Sequence, residues 1–372
     1  MAQDDGLDLA AQFRSFSGVA GRDGAPLYER ISAGVAEDPE LLSLAAVSPP
    51  EQRRPTLLLA AVQFLLLGGD DHPLGARYRT VAPPDAARRA PGGDDPFPDF
   101  RDFCLSRRSA LEPLLGTRAT QTNEIGRATA LVPGLAAAAS ALGVPRLTLL
   151  ELGASAGLNL LLDRYAYDYG GGVAGDVTSP VVLGCELRHG HPRLALPELL
   201  WRCGLDRQPV DPTDEPSARW LLACLWPDHL ARFERLAAAL ELAAAIASRP
   251  PVVQADMVDD LAAVVATVPT AAPLCVFHTW SAAYLTSDRQ RSLAAAMADL
   301  GRRRPLAWLF AEEPAEVPGL PVPPPPPEGR RGATALVLTT YHDGAPRSRR
   351  LADLHPHGRW LRWWAGDTAA LR

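Results

Sequence analysis

The segment 149–159, which reads LLELGASAGLN, holds the residue types best suited to contact a ligand. A short apolar run predicts a strand that ends at Glu151, and a turn of small residues separates it from a helical stretch. Glycines let a ligand approach the main chain, and a helix start leaves backbone N–H groups free. The pattern predicts a ligand-binding turn, with an ordinary strand-to-helix turn as the alternative. It does not satisfy the dinucleotide fingerprint G-x-G-x-x-G.

A second set of candidates follows the apolar run Leu274–Phe277. His278 comes directly after this run, and Trp280 and Tyr284 lie close behind it. Ligands of open α/β sheets bind outside the carboxyl ends of the strands, so we expect these side chains to face a substrate. Histidine, with an ordinary pKa of about 6.5, suits deprotonation of an oxygen or nitrogen nucleophile. His278 is therefore the candidate catalytic base, and a histidine hydrogen-bonded in the core is the alternative.

Polar residues outside these runs add candidate substrate contacts. Gln121, Asn123 and Arg127 form a dense polar cluster where a helix is expected to begin, and Asp211 lies in a polar loop. The cluster is predicted to read polar groups of the substrate, or to cap the helix. Asp211 is predicted to line the cleft, or to be solvated.

The order of the predicted elements indicates an α/β protein with a helical N-terminal part. Residues 1–140 carry apolar side chains mostly at helical spacing and are predicted to form a helical cap. Residues 141–372 alternate short apolar runs with helical stretches, which indicates βαβ units and a mainly parallel sheet. Within this domain, residues 165–190 indicate an inserted hairpin, and residues 336–353 indicate a C-terminal antiparallel hairpin turned at Asp343–Gly344.

Composition narrows the classes of function. A net charge of −6 gives no footprint for a nucleic-acid backbone, so no nucleic-acid partner is expected. The five cysteines form no C-x-x-C pair, and the His189/His191 and His355/His357 pairs lack further ligands, so no metal site is expected. An acidic start without an apolar core, and a longest early apolar run of 57–67, predict a cytoplasmic protein without a membrane span.

The turn after Glu151 resembles the first motif of class I methyltransferases, in which an acidic residue precedes three alternating glycines. Here Ser155 stands where the middle glycine is expected, and its side chain would either narrow the pocket or donate a hydrogen bond to the cofactor carboxylate. The resemblance implies a Rossmann-like sheet that ends in a reversed strand, with S-adenosylmethionine as cofactor. It places four residues near the methionine part of the cofactor, namely Glu151, Gly153, Ser155 and Gly157. Asn159, at the end of the same segment, is a further predicted cofactor-binding residue.

The same resemblance predicts which residues contact the ribose and the adenine of the cofactor. A second acid at the end of the next parallel strand accepts hydrogen bonds from the ribose hydroxyls. Because 165–190 is inserted, the next strand is predicted near 201–205, which makes Asp206 the candidate and Glu186 its competitor. Asp256 would meet the adenine amino group and Met257 would lie on the ring. Asp256 is also a plausible cap of the following helix.

Nearly the whole chain is also similar to an uncharacterised bacterial family of domain-of-unknown-function proteins, of an actinobacterial, high-GC composition. The leading hypothesis is an S-adenosylmethionine-dependent methyltransferase acting on a small molecule between the helical cap and the sheet. Two alternatives stay open: a S-adenosylmethionine-binding enzyme of different chemistry, and a non-catalytic methyltransferase-like binding protein. The sequence indicates neither the methyl acceptor nor the oligomeric state.

Overall fold

A computed structural model describes residues 8–83, 94–329, 332–342 and 345–366. The chain divides into two compact units. Asn123–Asp211 and Ala238–Arg372 form the α/β unit, whereas Ala2–Thr122 and Pro212–Ala237 form the helical unit.

The helices are α1 Leu9–Arg22, α2 Pro26–Val35, α3 Pro39–Ala45, α4 Pro55–Leu67, α5 Phe97–Ser106, α6 Arg108–Thr117, α7 Ala128–Leu142, α8 Glu215–Ala223, α9 Leu230–Ala245, α10 Leu261–Ala266 and α11 Ser287–Arg303. Short 3-10 helices cover Pro50–Gln52, Pro73–Arg77, Ile125–Arg127, Leu158–Arg164 and Ala282–Tyr284. The strands are β1 Arg146–Leu152, β2 Ala166–Asp168, β3 Val173–Gly175, β4 Val182–Gly184, β5 Glu186–His189, β6 Glu198–Asp206, β7 Val252–Gln254, β8 Leu274–Thr279, β9 Leu306–Glu312, β10 Thr334–His342, β11 Ala345–Leu354 and β12 Trp360–Trp363.

The helical unit is built around α4. This helix is apolar on all sides, and a helix of that kind is stable only when other elements cover it. Its first residue is Pro55. Proline has no backbone N–H, and the N–H groups of the first helical turn have no partner within the helix, so no helical hydrogen bond is lost. Trp220 of α8 packs its ring against Phe64 of α4, with ring centroids 5.6 Å apart, and donates its indole N–H to the Ala119 carbonyl.

These contacts explain how the observed units differ from the predicted division at residue 140. Residues 212–237, which the sequence assigns to the α/β domain, belong to the helical unit because Trp220 is buried in its core. Residues 123–140, which the sequence assigns to the cap, belong to the α/β unit, where α7 packs on β9 and β10.

The α/β unit contains a nine-stranded, mostly parallel sheet in the described residues, in the order β5-β12-β11-β10-β9-β8-β1-β6-β7. The predicted mixed α/β class is thus confirmed. The parallel strands β7, β6, β1, β8 and β9 have the order 3-2-1-4-5 along the chain, which reverses direction beside β1 as in doubly wound sheets. The carboxyl ends of β6, β1 and β8 therefore meet at one edge.

Beyond β9 the sheet becomes antiparallel. Strands β10 and β11 form the predicted C-terminal hairpin, although its turn Asp343–Gly344 lies outside the described residues. Strand β12 extends the hairpin on its far side. These elements give the reversed strands that the sequence indicated at this end of the sheet.

The inserted segment after β1 forms more than a hairpin. Strand β2 pairs antiparallel with β3, as predicted, but it also pairs in parallel with β4, which completes a small three-stranded sheet. The next strand, β5, leaves this small sheet and pairs in parallel with β12 of the large one. The insertion therefore contributes a strand to the large sheet.

One helical stretch, Ile125–Leu142, is long and apolar enough to cross a membrane, with a mean hydropathy of 1.4. About 78% of it is buried inside the protein, as in the core helix of a soluble protein. The structure is thus compatible with a soluble α/β protein, and the cytoplasmic location stays a prediction.

Candidate functional site

Glu151 is a buried acid at the carboxyl end of β1. Its Oε1 accepts a hydrogen bond of 2.9 Å from the Asn159 side-chain amide, whereas its Oε2 is buried without a hydrogen-bond partner in the described structure. Burial raises the pKa of Glu151 from 4.5 to about 8, and the nearby charge of Asp206 adds to this rise against the opposing effect of Asn159. At neutral pH this carboxyl is therefore mainly protonated, and it presents one unused polar atom.

The turn after β1 uses its own backbone donors. The N–H groups of Gly153 and Ala154 both donate to the Leu205 carbonyl, and the N–H of Gly157 donates to Ala154. The N–H of Ser155 donates to the Asp206 carboxylate at 2.8 Å. The expectation that this turn leaves its N–H groups free is therefore wrong for these four residues, because strand β6 accepts three of the N–H groups and Ala154 of the turn itself accepts the fourth.

The helical stretch that follows the turn is short. It is a 3-10 helix over Leu158–Arg164, and Leu161 breaks its regularity with a φ of −97° and a ψ of 16°. The buried side chain of Asn159 lies on this helix and reaches back to Glu151. Arg202 of β6 holds the helix by donating to the Leu160 carbonyl and to Asp163. The helix thus serves to bring Asn159 beside the acid.

Close packing explains the two glycines of the turn. Gly153 has a φ of 73°, and a Cβ atom there would lie 2.6 Å from the Cβ of Ser281. Gly157 has a φ of 69°, and a Cβ atom there would lie 2.9 Å from Val252. Both glycines are thus needed for backbone conformation and for close contact with Ser281 and Val252.

Ser155, at the position where the resembling family has glycine, keeps the glycine-like backbone. Its φ is 52°, in the left-handed region that costs an ordinary residue about 1–2 kcal/mol. Its carbonyl accepts from the N–H of Val210, so Asp206 and Val210 hold Ser155 from both sides. The loop after β6 therefore stabilises the strained residue.

Asp206 lies at the end of β6, as predicted. Its Oδ2 binds Ser155 and its Oδ1 accepts from the N–H of Gln208, which leaves lone pairs on both oxygens. Burial raises the pKa of this carboxyl above its usual value. Its competitor Glu186 lies on β5, six strand positions away from β1 and exposed, where it pairs with Arg188. The structure brings Asp206 to Glu151 and leaves Glu186 roughly 30 Å away, at about 4.8 Å per strand.

Asp256 and Met257 follow β7, as predicted. Asp256 accepts from the N–H groups of Val258 and Asp259 and from Arg289. Burial alone would raise its pKa, but these donors lower it below the usual value. Asp256 thus caps the turn before α10, whereas the N-cap residue of the helix itself is Asp260. The Cε atom of Met257 lies 3.5 Å from the Cβ position of Gly153, so it borders the turn after β1.

His278, the candidate base, is fully buried at the end of β8. Its Nδ1 lies 2.7 Å from Oε1 of Glu312, and its ring stacks flat on Phe310 with centroids 5.3 Å apart. Its Nε2 is buried without a hydrogen-bond partner in the described structure. The histidine thus has the partners of a core residue, and its catalytic role stays a prediction.

Strand register shows which residues share a face of the sheet. Glu151 pairs with Phe277, and Gly204 of β6 lies opposite Glu151. Successive residues of a strand point to opposite faces, so Glu151 and Asp206 share one face and His278 occupies the other. The predicted base therefore lies on the opposite face of the sheet from Glu151 and Asp206.

Arg127 and Trp280 lie together beside the end of β8. The buried Arg127 donates to the carbonyls of Thr279 and Pro356, and its guanidinium lies 5.6 Å from the centre of the Trp280 ring. Trp280 has a φ of 54° and donates its indole N–H to Thr334. These contacts bring two of the predicted substrate residues together.

The other predicted substrate residues are more dispersed. Asn123 is buried, with an amide nitrogen that has no hydrogen-bond partner in the described structure, and Tyr284 is 67% exposed. Asp211 is exposed and bonds Arg249 at 2.6 Å. Gln121 belongs to the helical unit. Their roles in substrate binding stay predictions.

Sequence reasoning missed Glu312, the acid at the end of β9. Its Oε1 accepts from His278 and from the N–H groups of Ser281 and Ala282. The signal was available, since Glu312 lies two residues after the apolar run Leu306–Phe310 in the sequence. Of the described residues, no group of three or more His, Cys, Asp or Glu side chains is placed to hold a metal ion.

Comparison with known proteins gives a family. No curated protein and no solved structure matches the chain. A family of uncharacterized proteins conserved in bacteria, DUF2332, matches residues 10–363, and the chain therefore belongs to that family.

Proposed function

We propose that this protein binds S-adenosylmethionine at the carboxyl ends of β6, β1 and β7 and methylates a small molecule. The observation that carries the proposal is the buried Glu151 carboxyl, whose Oε2 has no partner although it borders a glycine turn at the point where the sheet reverses direction. Leaving a buried polar atom unpaired costs about 1–3 kcal/mol, so such an atom is a good place for a ligand.

The residues of this edge fit the cofactor. A mainly protonated Glu151 is able to donate or accept a hydrogen bond, which suits the amino and carboxylate groups of the methionine part. Asp206 keeps lone pairs for two ribose hydroxyls, and the lowered pKa of Asp256 keeps it ionised as an acceptor for the adenine amino group. Met257 would supply an apolar surface for the ring.

When bound, S-adenosylmethionine supplies a methyl group on a sulfonium, and the chain's own task is to place an acceptor in line with it. Arg127 and Trp280 would orient the acceptor, and His278 stays the candidate base. Because its ring has no exposed surface, this role requires its buried Nε2 to become accessible when the substrate binds.

The buried position of His278 also favours a second candidate function. A fully buried histidine that bonds Glu312 inside the core has a structural role without a substrate, and this is what we expect of a methyltransferase-like protein that binds its ligand without catalysis. A different reaction at the same cofactor site is a further alternative, because a fold does not fix its chemistry.

The experiment is thermal unfolding of the purified protein with S-adenosylmethionine, S-adenosylhomocysteine or NAD. A ligand at 100 times its dissociation constant stabilises the native state by about 2.7 kcal/mol, which raises the midpoint by several degrees. We expect both sulfur compounds to raise it and NAD to leave it unchanged. Asp206→Ala should lose the shift, whereas the matched control Glu186→Ala, at the far edge of the sheet, should keep it.

Two results would contradict the proposal. One is the absence of any shift with either sulfur compound in protein shown by mass spectrometry to be free of copurified cofactor. The other is a shift with NAD alone. A shift without methyl transfer to any acceptor from a small-molecule extract would favour the non-catalytic function.

A further inference from the structure

The loop Thr279–Tyr284 has an unusual conformation at the edge of the sheet. Trp280, in its middle, has a φ of 54°, a region that bulky residues rarely adopt unless their surroundings impose it. The backbone N–H of Trp280 donates to the Ala311 carbonyl of β9. A strained residue of this kind persists only where several contacts hold its backbone in place. The contacts made by the loop Thr279–Tyr284 therefore show which residues hold it.

Glu312 supplies two of the contacts that hold this loop. Its side chain is fully buried, and its Oε1 receives three donors: Nδ1 of His278 at 2.7 Å and the backbone N–H groups of Ser281 and Ala282 at 3.0 Å each. A carboxylate that accepts several N–H groups forms hydrogen bonds about twice as strong as those between neutral groups. Glu312 therefore anchors the loop directly after its strained residue.

A second buried side chain supports the end of the same loop. Gln290 of α11 donates to the carbonyls of Ala282, Leu285 and Glu316, and its own oxygen accepts from the N–H of Gly319. The loop is thus held by Glu312 at its middle and by Gln290 at its end.

The loop in turn supports the glycine turn after β1. Ser281 donates its hydroxyl to the Leu152 carbonyl at 3.0 Å, and its Cβ occupies the space beside Gly153. A displacement of Ser281 would therefore release the turn that lies beside Glu151. The chain of contacts runs from Glu312 through Ser281 to the turn.

We propose that Glu312 is a positioning residue of the candidate site. Its carboxylate fixes the loop Thr279–Tyr284, and through Ser281 it sets the turn after β1. As far as ligand binding is concerned, the inference rests on the proposed function. The positioning of the loop is independent of any ligand.

The test compares Glu312→Gln with Glu312→Met by amide hydrogen exchange of the full chain without ligand. The two replacements are similar in size, but only glutamine keeps an oxygen that accepts the two N–H groups. We expect Glu312→Met to speed exchange at Ser281 and Ala282 at least about 10-fold, and Glu312→Gln to change it by less than about 3-fold. Glu313→Gln, which alters the neighbouring half-buried acid, should leave both amides unchanged.

Equal exchange at Ser281 and Ala282 in both variants would overturn the proposal, because a residue that only fills space does not distinguish them. Calorimetric titration with S-adenosylhomocysteine then separates the two proposals. If the wild type binds, Glu312→Met should weaken binding about 10-fold, and unchanged affinity would overturn the link to the turn. If the wild type does not bind, the proposed function fails, and the exchange contrast alone decides the positioning of the loop.

Discussion

Asp206 accepts the backbone N–H of Ser155 on its Oδ2 at 2.8 Å, so the acid that ends β6 fixes the middle of the turn that follows β1. Ser155 is the residue that departs from the glycine pattern and also the one with the strained backbone. The hydrogen bond therefore joins the two positions on which the sequence left most doubt. It also makes the two neighbouring strand ends mechanically dependent on each other.

Asp206→Asn should lower the free energy of unfolding by about 1–3 kcal/mol. Both carboxylate oxygens accept backbone N–H groups, and an amide puts a donor against one of them. Urea unfolding measures the change. Asp211→Asn is the matched control, because its exposed pair with Arg249 is worth less than about 1 kcal/mol. Equal effects of the two substitutions would contradict the anchoring role of Asp206.

Glu151→Gln should flatten the pH dependence of stability. The folded pKa of Glu151 is about 8 against 4.5 ordinarily, so between these values the folded chain holds a proton that the unfolded chain releases. This group therefore makes the free energy of unfolding fall as pH rises from about 4.5 to about 8, by at most about 1.4 kcal/mol per pH unit. Above about pH 8 its contribution no longer changes.

The measurement for Glu151 is urea unfolding of both proteins at pH 5, 6, 7, 8 and 9. The stability of Glu151→Gln relative to the wild type should rise with pH up to about 8. A constant difference across the series would show that Glu151 ionises normally in the folded protein.

Gly153→Ala should destabilise the protein more than Gly143→Ala. Both glycines have a φ near 70°, so both substitutions carry the left-handed strain of about 1–2 kcal/mol. Only at Gly153 does the new methyl group meet Ser281, which adds about 1–3 kcal/mol from overpacking, whereas Gly143 has open space. Thermal unfolding of the pair isolates the contact, and similar losses would argue against it.

Ser155→Gly should raise the free energy of unfolding by up to about 1 kcal/mol. Glycine removes the left-handed strain of about 1–2 kcal/mol, and its greater freedom in the unfolded chain returns about half of that gain. Chemical denaturation measures the difference. A loss of more than about 1 kcal/mol would mean that the Ser155 side chain itself holds the turn.

Local patterns predicted the elements of the site well. The strand–turn arrangement around Glu151, the strand ending at Asp206 and the acid after β7 all follow from short apolar runs and the residues next to them. The general rule for open α/β sheets then places these ends at one edge. These features depend on neighbours within about ten residues, which is why a single sequence contains them.

Distant partners account for what the sequence did not predict. The N–H groups of the turn after β1 donate hydrogen bonds to Leu205 and Asp206, which lie more than 50 residues away in the sequence. The buried His278 likewise bonds a distant residue, Glu312. Helix α8 belongs to the helical unit because its Trp220 packs against Phe64 there. Apolar periodicity reports that a side chain is buried but does not report against which element.

The pairing of β5 with β12 bears on how the protein forms during synthesis. Strand β5 lies near the middle of the chain, and its partner Trp360–Trp363 is about 170 residues further along. Strand β5 therefore pairs with β12 only after the intervening residues have been synthesised, at roughly 5–20 residues per second. Contacts so distant in sequence close slowly, so joining the insertion to the large sheet belongs among the last steps of folding.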